Sequence, residues 1–250
     1  MSSNAHLRDT FDRVVVINLA KRSERLARFT RLFEAWPFKP PQRFEAVDGM
    51  QLTLPAYKNR GPGAWGCMLS HQAVLASAIA DKVTSLLVLE DDAHPVPDFA
   101  ERAADFLAKA PSDWDCLMFG GEHLMPPLAV CPGVVRCAGA NRAHAYALRG
   151  SMMPILLAFW KHYKAEHCDI VLACLMRHFK VYAPVPFLVG QDAGHSDISN
   201  RPECLRFLSP GQIQAIARSD SQYAIEALVN QNGLTQSPMS PTDRTQLVPV

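Results

Sequence analysis

Three adjacent carboxylates, Glu90, Asp91 and Asp92, close the apolar run SLLVLEDD at residues 85–92. Like charges a few ångströms apart repel by about 4 kcal/mol at an effective dielectric of about 20, so such a cluster needs something to offset it. In an extended chain alternate side chains share a face, which puts Glu90 and Asp92 on one side and Asp91 on the other. Two hard oxygen ligands in a D-x-D-like spacing suit Mg²⁺ or Mn²⁺, cations that combine carboxylates with phosphate oxygens and water. The competing reading is a solvated turn, DDAHPVP, whose carboxylates cap a helix starting near Pro97. The triplet alone leaves both readings open.

A second motif, GPGAWG at 61–66, matches G-x-G-x-x-G and opens an apolar helix. A dinucleotide fingerprint needs a buried strand immediately upstream, so that the helix N-terminus faces a pyrophosphate. The preceding LPAYKNR is no such strand. This weighs against an NAD(P)- or flavin-binding oxidoreductase, and Cys67 and Met68 after Gly66 exclude a nucleotide-hydrolysing phosphate loop. His71 lies three residues after Met68 and four before Leu75, on the apolar face of that helix. It reads as a hydrogen-bonded core histidine, with Ser70 and His71 at the edge of a substrate site as the alternative.

The elements that must position these groups follow from hydrophobic periodicity. RVVVINL (13–19) is a β-branched run typical of a strand covered on both faces, and Leu26, Phe29 and Phe33 at helical spacing predict a helix over about 22–35. PQRFEAV (41–47) reads as a second strand ending in the turn Asp48–Gly49, followed by loop over 50–62. A helix over 66–81, a strand over 85–90, a helix over 97–110 and a strand over 114–121 continue the alternation. Two short strands are expected within 133–149, then helices near 151–164 and 167–178, and a strand over 179–186 that its prolines place at an edge or end. Residues 190–203 read as a polar loop, 209–231 as an amphipathic helix and 235–250 as a flexible tail. The expected organisation is one domain over 1–206, a helical appendage over 207–232 and a tail over 233–250.

A chain of 250 residues, 48% hydrophobic, buries a full core, and this length fits one α/β domain with appendages. Its net charge of +1 gives no global pull toward nucleic acid, so nucleic acid is not an expected partner. No segment has the pattern of a secretory signal or an apolar span of about 20 residues, and the seven cysteines contain no C-x-x-C pair. A soluble cytoplasmic protein with free thiols is the expectation.

VVVINLAKRSERLARF (14–29), FEAVDG (44–49), GAWGCMLSHQAVLASAI (63–79) and LLVLEDDA (86–93) come in the order and approximate spacing of glycosyltransferase family 25. AHAYALRGS (143–151), CDIVLACLMRHFKVYAPVPFLVGQD (168–192) and HSDIS (195–199) also resemble that family's later segments. The family includes bacterial lipooligosaccharide galactosyltransferases and is similar to collagen galactosyltransferases. The resemblance covers about residues 12–200, and it rests on the order of seven motifs, each weak alone.

It implies a GT-A type α/β fold with a central mixed, mostly parallel sheet flanked by helices. It also implies a metal-dependent, inverting transfer of a hexose, galactose or glucose, from a UDP-sugar to an acceptor hydroxyl. On matching positions, Ile17, Asn18, Leu19 and Asp48 would contact the base and ribose, and Arg22 and Arg25 the diphosphate. Asp92, with Glu90 or Asp91, would hold Mn²⁺ or Mg²⁺ at the phosphates, with His195 as a late third ligand. Inversion requires a carboxylate base for the acceptor hydroxyl, and two aspartates compete: Asp192, in the loop before His195, and Asp169, at a helix start. The acceptor is a glycan, a glycolipid or another hydroxyl, and a lipid-borne acceptor would bring peripheral membrane association. A non-catalytic nucleotide-sugar-binding module with the same fold is the alternative.

Overall fold

The computed structural model describes residues 7–56 and 61–192, together with the backbone of 194–195 and 202–203. The elements run β1 (Arg13–Asn18), α1 (Ser23–Leu32), β2 (Gln42–Glu45), a 3-10 turn (Gly49–Gln51), α2 (Gly61–Ala80), β3 (Ser85–Glu90), β4 (Ala93–Pro95) and α3 (Phe99–Lys109). Then come β5 (Cys116–Met118), β6 (Glu122–His123), β7 (Leu128–Cys131), β8 (Val134–Arg136), β9 (Ala140–Asn141), β10 (Ala145–Arg149), α4 (Met153–His162) and α5 (Cys168–Leu175). Last are β11 (Val181–Pro184), β12 (Val189–Gln191), β13 (Gly194–His195) and β14 (Pro202–Glu203). The expected helix at 209–231, the 207–232 appendage and the 233–250 tail lie outside the described residues.

Eight strands form one sheet in the order β2-β1-β3-β10-β5-β11-β8-β7. The β2-β1-β3 segment is parallel, and its register sets Asn18 beside Glu45 and Ile17 beside Glu90. The carboxyl ends of three neighbouring strands therefore lie level at one edge, where open α/β sheets bind ligands. Strand β10 runs antiparallel between β3 and β5, and β8 antiparallel beside β11 and β7. The sheet is mixed and flanked by helices as expected but is not mostly parallel: three of its seven pairings, β1–β2, β1–β3 and β5–β11, are parallel and four are antiparallel.

Alternation along β3 divides the core. Leu86 and Val88 join α2, α4 and α5 in one cluster, and Leu87 and Leu89 join Phe29 of α1 and Phe106 of α3 in the other. All four β3 residues are fully buried, which is why the strand reads as an unbroken apolar run. On the α1–α3 face Phe11, Phe38 and Phe119 meet edge to face, the favoured geometry of aromatic quadrupoles.

Helix α2 starts at Gly61, not at Gly66, so GPGAWG is its first two turns. A Cβ on Gly66 would sit 2.5 Å from the Val47 carbonyl, and one on Gly49 would sit 1.8 Å from the Pro62 carbonyl. These glycines let the 3-10 turn lie directly on the helix. That packing accounts for Gly66, and a positive φ of 83° accounts for Gly61, without a dinucleotide.

Residues 133–149 hold three strands where two were expected. Strand β11 is interior, between β5 and β8, and not at an edge; Pro184 is its last residue, where a missing N–H costs the ladder least. The supposed loop after 189 begins with β12, which pairs antiparallel with β4 and sets Gln191 opposite Ala93. None of the described helices is long and apolar enough to cross a membrane.

Candidate active site

The three carboxylates at the end of β3 have three different fates. Glu90 turns toward α2, where Oε1 lies 3.1 Å from His71 Nε2; His71 Nδ1 in turn lies 2.9 Å from the Tyr146 hydroxyl. Burial raises the Glu90 carboxyl and lowers the imidazole, but each shift is outweighed. The bond to His71 leaves Glu90 below its ordinary range, while bonds from Cys67 and Glu90 leave His71 above its own. The two form a buried ion pair.

Asp91 leaves on the opposite face, toward α1, and is 8% exposed. Its Oδ2 accepts a hydrogen bond from Asn18 Nδ2 at 2.8 Å, and its Oδ1 one from Arg25 Nη1 at 3.1 Å. Asn18 also donates to the Arg22 carbonyl at 3.0 Å and accepts from Arg43 Nε at 3.0 Å. One buried amide thus links β1, β2, α1 and the acidic corner. Burial raises the Asp91 carboxyl, against the pull of Asn18 and Arg25.

Asp92 lies past the strand end, where the turn and not strand alternation sets its direction. Its Oδ2 accepts from Gln191 Nε2 at 3.4 Å, and its buried Oδ1 has no hydrogen-bond partner among the described residues. Burial, then the charges of Glu90 and Asp91, push its carboxyl up to about 8. An orphaned, crowded carboxylate oxygen of this kind fits a hard divalent cation, whose charge would reverse the repulsion. Glu90 and Asp91, by contrast, already have cationic partners. Among the described residues these three carboxylates do not gather as a three-ligand group within 4.8 Å.

Asp192 is brought to this corner by the β4–β12 pairing. Its backbone N–H donates to the Asp92 carbonyl at 2.7 Å, its Oδ2 pairs with Arg28 Nε at 2.7 Å, and its Oδ1 lies 3.7 Å from His94 Nδ1. Helix α1 therefore presents two arginines three residues apart, Arg25 to Asp91 and Arg28 to Asp192. His144 lies under the same corner: its carbonyl accepts from the Glu90 N–H at 2.9 Å and its Nε2 lies 3.0 Å from the Val189 carbonyl. Burial lowers its imidazole, so it is neutral there.

The family described as "Glycosyltransferase family 25 (LPS biosynthesis protein)" matches residues 11–120. Over these residues the chain is similar to glycosyltransferase family 25. It is similar to a "Glycosyltransferase 25 family member" of Drosophila melanogaster, 30% identical over 134 residues, covering 46% of this chain and 22% of the relative. It is similar to "Inactive glycosyltransferase 25 family member 3" of Homo sapiens, 29% identical over 164 residues, covering 56% and 27%. "Procollagen galactosyltransferase 2" of Mus musculus is 25% identical over 221 residues, covering 72% of this chain and 35% of the relative. The chain thus spans between about a fifth and about a third of the length of these relatives.

The other candidate residues are spread over several elements. Ile17 and Asn18 end β1 buried, and Leu19 follows half-buried, beside the acidic corner. Arg22 precedes α1 with Nη1 3.6 Å from Glu24, and Asp48 caps the 3-10 turn while Lys21 Nζ lies 2.7 Å from its Oδ2. Ser70 and His71 are interior, not edge residues: Ser70 Oγ donates to the Gly66 carbonyl at 2.7 Å and accepts from the Val47 N–H at 2.8 Å. Asp169 in the first turn of α5 accepts from the Ile170 N–H at 2.9 Å and the Arg142 N–H at 3.3 Å. The backbone of His195 pairs in β13, and its side chain lies outside the described residues.

Ser70→Ala removes the acceptor of the half-buried Val47 N–H and is expected to cost about 1 kcal/mol in a denaturant titration.

Arg28, His94, His144 and Gln191 were not among the residues the sequence singled out. The i, i+3 spacing of Arg22, Arg25 and Arg28 was the only signal for the first.

Proposed function

We propose that this chain transfers a hexose from a UDP-sugar to an acceptor hydroxyl, with Mn²⁺ or Mg²⁺ at the leaving diphosphate. The observation that carries this reading is the buried, partnerless Oδ1 of Asp92 at the carboxyl ends of parallel β1, β2 and β3. In sugar transfer the anomeric carbon becomes oxocarbenium-like while negative charge builds on the diphosphate. A bound divalent cation supplies Lewis-acid stabilisation of that charge. Asp92 would be its protein ligand, with His195 as a further one. Asp91 has a different task, locking Arg25 and Asn18 so that the end of β1 presents a fixed surface to the nucleotide.

Asp192 is the preferred base for the acceptor hydroxyl in an inverting transfer. It stands beside Asp92 through a backbone bond, whereas both oxygens of Asp169 accept from backbone N–H groups. Arg28 and His94 orient the Asp192 carboxylate. Asp192→Asn is expected to lower kcat by about 10²–10⁴-fold with donor affinity unchanged, and Asp169→Asn by less than tenfold. An equal loss in both variants would remove Asp192 from the role. Galactose or glucose is the expected sugar, a glycan or glycolipid the expected acceptor, and a lipid-borne acceptor would hold the protein at a membrane surface.

A non-catalytic donor-binding module is the second reading. It is favoured by the Arg28–Asp192 ion pair, which occupies the proposed base, and by the human relative named inactive. The experiment that separates them follows nucleoside diphosphate release from a panel of nucleotide sugars, with and without Mn²⁺. Metal-dependent release supports the enzyme; stabilisation by donor without release supports the module.

A further inference from the structure

A second group of reactive side chains lies behind the acidic corner. Cys67 and His71 are four residues apart on α2, so they share a helix face, and Cys168 opens α5 against them. Their ligand atoms all lie within 4.8 Å of one another. The two sulfurs are 3.7 Å apart. A disulfide needs about 2.05 Å. The edge of a tetrahedron built on Zn–S bonds of about 2.3 Å is about 3.8 Å, which the observed separation matches.

We propose that Cys67, His71 and Cys168 form a binding site for Zn²⁺ that ties α2 to α5 behind the acidic corner. Two thiolates and an imidazole are the donor set of a borderline-soft cation, unlike the carboxylate oxygens that suit Mn²⁺ or Mg²⁺ at Asp92. The second shell is already built. Whichever ring nitrogen takes the ion, the other has its partner: the Tyr146 hydroxyl at Nδ1 or the Glu90 carboxylate at Nε2. Cys67 is half-buried, which leaves an entry path, while His71 and Cys168 are buried. Binding forms two Zn–S bonds and one Zn–N bond, and the protons of both thiols and of the imidazolium pass to solvent. Affinity therefore rises with pH. Water completes the fourth position.

The test is a Co²⁺ titration of the full chain, reduced and stripped with a chelator, followed by Zn²⁺. The expected result is one equivalent of Co²⁺ per chain, with a thiolate charge-transfer band and the intense visible absorption of a four-coordinate site, both bleached by Zn²⁺. Alkylation mapped by mass spectrometry should show the half-buried Cys67 protected when Zn²⁺ is present and reactive when it is absent. Cys67→Ser and Cys168→Ser should each weaken binding by about 100-fold or more, and Cys131→Ser should bind as the wild type does. Absence of the thiolate band in the wild-type chain overturns the proposal, as does a band retained in either of the first two variants. If those variants fail to fold, a Cys67 thiol that is alkylated equally fast with and without Zn²⁺ in the wild type overturns it as well.

Discussion

Asp92→Asn is expected to make the protein more stable than the wild type at pH 8 and above while removing about 10²–10³-fold of its transfer rate. Both effects have one origin. Burial and the charges of Glu90 and Asp91 hold the Asp92 carboxyl up at about 8, against about 4 in an unfolded chain. Below about pH 4 both states are protonated and the site carries no penalty. Between about 4 and 8 the unfolded chain loses the proton and the native one keeps it, so stability falls as pH rises; above about 8 the loss is complete. For a side chain that keeps some contact with solvent this amounts to about 2–4 kcal/mol. Asparagine carries no charge and escapes it. At about 2–4 °C per kcal/mol for a chain of this size, the variant should melt roughly 5–10 °C higher at pH 8.5 and with the wild type at pH 4. The lost rate is that of one electrostatic stabiliser of a transition state. Thermal melts across pH, together with rates at saturating donor and Mn²⁺, check both halves.

Arg25→Ala should act in the opposite sense, lowering stability by about 2–4 kcal/mol at pH 7. The Arg25 and Asp91 side chains are 17% and 9% exposed, so removing the guanidinium leaves a buried carboxylate with only Asn18 to hold it. The cost should shrink below about pH 4, where Asp91 is protonated in both states. In the double variant Arg25→Ala with Asp91→Asn, most of the loss should return, because no buried charge is left to strand. A urea titration at pH 7 and at pH 3.5 reads all of this. A loss that stays constant across pH would mean that Arg25 contributes through packing and not through charge.

The parts legible in the sequence were those fixed by long periodic runs. RVVVINL, LLVLE and the Leu26-Phe29-Phe33 spacing defined β1, β3 and α1, because a strand buried on both faces and an amphipathic helix leave strong patterns. Asn18, Arg25 and Asp91, singled out by the family resemblance, sit on or directly after those elements. The start of α2 was not legible, because Gly61, Pro62 and Gly63 mimic a loop, whereas close packing against the 3-10 turn falls on Gly66 and on the Pro62 carbonyl. Nor was the meeting of Asp92 with Asp192. It depends on β4 and β12, strands of three residues each, too short for alternation to show and about a hundred residues apart. Glu90 misled for the same reason: its partner His71 comes from another element, and only the fold shows that its oxygen is occupied.

The central claim is that Asp92 holds a divalent cation against the diphosphate of the donor. Calorimetric titration of UDP into the wild type and Asp92→Asn, each with and without Mn²⁺, tests it most directly. The predicted result is UDP affinity that rises by about tenfold or more with Mn²⁺ in the wild type, about 1.4 kcal/mol, and does not change with Mn²⁺ in the variant. UDP affinity independent of Mn²⁺ in the wild type, or a full Mn²⁺ dependence surviving in Asp92→Asn, would contradict it.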